Sequence, residues 1–63
     1  MRQFRCFFIG EDEAVETFEP MDLENEAEAV RRAERMLTSR PSAAAEIWES
    51  GRLVARIDGT DRS

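Results

Sequence analysis

Between Asn25 and Pro41 the apolar residues Ala29, Val30, Ala33, Met36 and Leu37 recur at spacings of three and four. At about 100° per residue they all fall within about 60° of Ala33. This stripe predicts one amphipathic helix, and a helix with a single apolar stripe must bury it against another layer. Asp22 and Asn25 both suit an N-cap, but Leu23 and Ala27 lie off the stripe. The helix is therefore expected to start after Asn25, with Glu28 completing a capping-box-like pair. Acids precede arginines along it (Glu26 and Glu28, then Arg31, Arg32, Arg35 and Arg40), which complements the helix dipole. Pro41 disfavours helical geometry at Arg40 and ends the element.

The flanking segments read as strands. Gln3 to Ile9 is rich in aromatics, Gly10 to Glu13 is a turn, and Ala14 to Glu19 is a second strand that Pro20 ends. Ala44 to Trp48 and Arg52 to Ile57 form a second hairpin around Ser50-Gly51. A three-residue loop, Glu49-Ser50-Gly51, would pair Ile47 with Leu53 and Ala45 with Ala55. One face then carries Ala45, Ile47, Leu53, Ala55 and Ile57. The other carries Ala44, Glu46, Trp48, Arg52, Val54 and Arg56. A two-residue Ser50-Gly51 loop would pair Trp48 with Leu53 and mix Glu46 among the apolar residues, so the three-residue register is preferred. The expected fold is α+β: a four-stranded, mainly antiparallel sheet of two hairpins with one helix packed on one face. Strand order 2-1-3-4 or 2-1-4-3 would satisfy it. One β-β-α-β-β domain spans residues 1–58, and 59–63 form a polar, frayed C-terminal tail.

A chain of 63 residues buries only about 60% of its unfolded surface and gains from a staple. One cysteine cannot form an internal disulfide, and without histidine no zinc site suggests itself, so neither metal nor cofactor is expected. An efficient core or self-association remains. The lone cysteine and the absence of a signal peptide or of a long apolar run suit a reducing cytoplasm and no membrane contact.

Catalytic constellations are missing. Histidine, lysine and tyrosine are absent, and no pair of carboxylates is marked for acid–base work, so the chain is expected not to be an enzyme. Cys6 shares parity with Phe4 and Phe8 and reads as a buried, inert thiol. From Glu11 to Glu28 there are nine acids and no base, against a net charge of -5 for the chain. That stretch reads as a solvated turn and helix start, with docking to a basic surface as the other reading.

The sheet's second face is the informative feature. With Phe4, Cys6 and Phe8 toward the helix, Arg5, Phe7 and Ile9 point away. Placing Val15 and Thr17 inward sends Glu16 and Phe18 outward. The far face then carries Phe7, Ile9, Phe18, Trp48 and Val54 among Arg5, Glu16, Glu46, Arg52 and Arg56. Five large apolar side chains represent on the order of 10 kcal/mol of unrealised burial. Such a patch marks an interaction site. The expected interface residues are Phe7, Ile9, Phe18, Trp48, Arg52, Val54 and Arg56, with Arg52 or Arg56 stacked on Trp48. The expected partner is a second copy of the chain in a homodimer. A small ligand or another protein on the same face is the alternative. Aromatics and arginines on a sheet can also stack single-stranded nucleic acid, but the acidic balance opposes that.

The aromatic opening strand (Phe4, Phe7, Phe8), the helix from Asn25 through Ala33 and Leu37, and the closing Glu46-Ile47-Trp48 with Arg52 to Arg56 resemble short, uncharacterised bacterial proteins of β-β-α-β-β arrangement. The resemblance spans nearly all of residues 1–57. It implies the fold and transfers no activity.

Overall fold

The computed structural model describes residues 1–59, and the expected frayed tail therefore lies almost wholly outside the described residues. The elements run β1 (Arg2–Ile9), β2 (Val15–Leu23), α1 (Glu26–Thr38), β3 (Ala44–Glu49) and β4 (Arg52–Asp58). All four strands join one antiparallel sheet in the order β2-β1-β3-β4. This resolves the order that parity had left open.

The helix forms as its spacing dictates. The Asn25 side chain accepts a hydrogen bond from the Glu28 backbone N–H at 2.9 Å, satisfying one of the donors that a helix start leaves unpaired. Ala29, Ala33 and Leu37 are buried, with Val30 and Met36 at the flanks. Alanine at the two central contacts leaves little side chain between helix and sheet. The core is closed by Phe4, Cys6 and Phe8 of β1, Met21 of β2, and Ala45 and Ile47 of β3.

Three details depart from the sequence reading, and each moves side chains. First, β2 does not stop at Pro20 but continues to Leu23, adding Met21 to the core. Pro20 sits opposite Arg5 on an edge strand, where a missing donor need not break a ladder. Second, the register of β2 slips between Phe8 and Ile9, leaving Glu16 as the inserted residue. Thr17 faces the helix side opposite Phe8. Val15 pairs with Ile9 and faces away, correcting its inward placement.

Third, the second hairpin turns through two residues, with Ser50 at φ 54 and Gly51 at φ 75. Two consecutive left-handed residues make the type I′ turn that matches strand twist. Trp48 therefore pairs with Leu53 and Glu49 with Arg52, whereas Ile47 pairs with Ala55 and Ala45 with Ile57. A bulge between those pairs absorbs Val54. The apolar partition survives for Ala45, Ile47, Ala55 and Ile57 because the bulge restores parity. Leu53 and Val54 exchange roles: Val54 packs against the core, and Leu53 turns outward.

Candidate interaction face

Strand pairing places the helix-free face in rows, each crossing β2, β1, β3 and β4 in turn. One row is Val15, Ile9, Ala44 and Asp58. The next is Phe18, Phe7, Glu46 and Arg56, and the third is Pro20, Arg5, Trp48 and Leu53. Asp22 and Gln3 begin a fourth. Three of the large exposed hydrophobics among the described residues lie here: Val15 (59% exposed), Phe18 (52%) and Leu53 (46%). The fourth, Met1, lines the hollow on this face.

Phe7 and Phe18 stand opposite each other on neighbouring strands, their ring centroids 5.6 Å apart and tilted by 32°. Trp48 is half-buried, and its indole N–H donates to Glu46 at 3.1 Å. Glu46 also accepts from Arg56 at 2.8 Å, directly across the hairpin. Arg56 further contacts Asp58 at 3.2 Å and Glu13 at 3.6 Å. These carboxylates hold the Arg56 guanidinium above its ordinary range, the hydrogen bond to Asp58 foremost. The Glu13 contact brings the β1–β2 turn across the end of the face, over the row where Ile9 and Ala44 are only 4% and 2% exposed. The middle of the face opens into a hollow of about 820 Å³ whose walls include Gln3, Arg5, Phe7, Glu46 and Trp48.

Of the seven expected interface residues, the structure brings Phe7, Phe18, Trp48 and Arg56 together on this surface. Ile9 faces the right way but is buried, so it supports the surface without presenting to a partner. Val54 and Arg52 are on the other face, because the bulge and the two-residue turn reverse their parity. Stacking of Arg52 or Arg56 on Trp48 does not occur: Arg52 lies on the helix side, and Arg56 is held by carboxylates. Leu53, Val15 and the hollow-lining role of Arg5 were missed. For Leu53 the signal was the Ser-Gly dipeptide, which favours a two-residue turn.

On the helix side, Arg52 lies 3.9 Å from Glu26 and 3.8 Å from Glu49. Arg2 completes this cluster by gripping Glu49 with two hydrogen bonds. Other acids of the 11–28 stretch are likewise turned to distant elements. Glu19 pairs with Arg40 at 2.9 Å, and Glu16 accepts from the Ser42 hydroxyl at 2.8 Å. Cys6 is fully buried, and burial pushes its thiol up to about 11, with Glu19 adding to the shift and Arg40 opposing it. Among the described residues no group of three or more His, Cys, Asp or Glu side chains is arranged to hold a metal, and no helix is long and apolar enough to cross a membrane.

No family model, curated protein or solved structure matches the chain.

Proposed function

We propose that the protein is a small, non-catalytic interaction module that self-associates through the helix-free face of its sheet, in a reducing cytoplasm that suits its unpaired cysteine. One observation carries this reading: the outward-facing Val15, Phe18 and Leu53 share one sheet face with the half-buried Phe7 and Trp48. The opposite face is already covered by α1. A second copy would cover the exposed apolar surface and supply the burial that a chain of this size lacks. The non-catalytic part is supported by the state of the reactive groups. Cys6 is sealed in the core, the Glu46 carboxylate in the hollow is engaged by Arg56, and Glu49 on the helix side is engaged by Arg2. Sedimentation at high micromolar concentration is expected to show a dimer. Trp48→Ala should shift it toward monomer and lower its melting temperature in a concentration-dependent way. A wild-type protein that stays monomeric under those conditions overturns the proposal.

The hollow supports a second reading. Its volume is within the range of small-molecule sites, about 300–1,000 Å³. A monomeric wild type whose Trp48 emission is changed by a bound apolar dye would favour this reading over self-association.

A further inference from the structure

The strand order β2-β1-β3-β4 leaves the sheet two edges, and they differ. An edge strand presents unpaired N–H and C=O groups to any extended chain that reaches them. β2 is poorly suited to that, because Pro20 lacks a donor and Glu16 bulges out of register. β4 contains neither proline nor lysine. Beyond its bulge at Val54, it pairs residue by residue with β3 from Ala55 to Asp58. The Gly59 N–H donates to the Ala43 carbonyl at 2.8 Å, inward from the edge. Successive residues of an antiparallel strand send their main-chain groups to opposite sides. Ala55 and Ile57 therefore share the inward direction of Gly59. Arg56 and Asp58 send their N–H and C=O groups outward, where no described strand lies.

The side chains along this edge define what would complete it. Toward the helix, β1, β2 and β3 each contribute fully buried residues, whereas Val54, Ala55 and Ile57 of β4 pack on the core and stay half-buried. A further strand with apolar residues on that side would shield them. On the other side the edge is acidic: Glu13, Glu46 and Asp58 crowd one guanidinium, that of Arg56. Asp58 is exposed, and a basic residue directly opposite it would offset the excess of carboxylates. A second copy of β4 would bring the same excess with it, so the charge favours a different chain.

We propose that the outer edge of β4, from Ala55 to Asp58, takes an extended segment of a partner protein as a fifth, antiparallel strand, with apolar residues opposite Ala55 and Ile57 and a basic residue opposite Asp58. This surface is separate from the helix-free face, and the proposal stands independently of self-association there. The probe is the peptide acetyl-Val-Arg-Val-Thr-Val-amide, which sets its arginine opposite Asp58 and its central valine opposite Ile57. Amide hydrogen exchange of the full chain, followed by NMR, reads the site. At saturating peptide, exchange at the Arg56 and Asp58 N–H groups should slow about 10-fold or more, and exchange along β2 should not change. N-methylation of the peptide's arginine and threonine removes the donors that face β4 and should abolish this protection without any change to the protein. Replacing the peptide's arginine with glutamate, or Asp58→Lys in the protein, should weaken binding about 5-fold, and the two changes together should restore it. A peptide that leaves both amides unprotected at millimolar concentration, an N-methylated peptide that protects them equally, or binding indifferent to both charge changes overturns the proposal. So does protection of the two amides that rises with protein concentration and without peptide, because a second copy then holds the edge.

Discussion

Arg2 holds Glu49 with two parallel hydrogen bonds, Nε to Oε2 at 2.8 Å and Nη2 to Oε1 at 2.7 Å, across 47 positions of the chain. The same guanidinium reaches Glu26 at 3.2 Å, in the first turn of α1. One side chain thus ties the opening strand to the helix start and to the end of β3. Bidentate pairing of this kind is the stronger class of charged hydrogen bond.

This grip predicts a pH dependence. The hydrogen bond from Arg2 holds the Glu49 carboxyl below its ordinary value of 4.5. A carboxyl depressed on folding adds stability above its unfolded value, and that stability is lost as pH falls through the folded value. Glu49→Gln should therefore be less stable than wild type in urea unfolding at pH 7. The difference should shrink as pH drops below about 4.5. An equal difference at pH 7 and pH 3 would show that the Arg2 pairing is not its source.

The second hairpin depends on backbone conformation at its turn. A Cβ added at Gly51 would meet nothing within 4 Å, yet φ there is +75. Gly51→Ala should cost about 1–2 kcal/mol through conformation alone. Thermal melting of this variant reads the effect directly, and an unchanged midpoint would argue against a left-handed Gly51.

The bulge at Val54 makes a prediction opposite to the simple alternation of β4. Val54 packs on the core, and Leu53 is outward. Val54→Ser should lose about 1 kcal/mol of folding stability. Leu53→Ser should barely change monomer stability but should weaken self-association. Chemical unfolding and sedimentation of the two variants test this together, and the reverse pattern would restore the three-residue loop.

Cys6 should react with an aromatic disulfide reagent only through opening of the fold. It has no exposure, and its thiol is pushed up to about 11, chiefly by burial, so little thiolate exists at pH 8. Modification in native buffer should be slow and should accelerate as urea populates unfolded chains. Rapid labelling in native buffer would contradict the sealed core.

The helix was legible because its determinants are local. Asn25, Glu28 and the Ala29–Leu37 stripe act within a few residues of one another: Asn25 caps the helix by accepting from the Glu28 backbone N–H, and Ala29, Ala33 and Leu37 are buried. Cys6 among phenylalanines of the same parity likewise indicated burial. The far face was legible only in part. Phe7, Phe18 and Trp48 follow strand alternation, which holds while a strand runs without insertion.

Alternation failed at Glu16 and Val54, where one extra residue is absorbed opposite a partner strand. Whether a strand bulges depends on what its neighbour offers, and that is a property of the assembled sheet. Pro20 was read as a stop although both expected strand orders left β2 at an edge, where a missing donor need not end the ladder. Arg52 was placed on the wrong face because its position depends on the two-residue turn, which sets it opposite Glu49, and on Glu26, which approaches it only after the helix docks. By itself, the sequence determined one capped helix, four strands and an apolar inner layer, because these rest on short-range periodicity. The tertiary structure alone decided strand order, the two bulges and the side chains that the open face presents, because those depend on pairing between segments far apart in the chain.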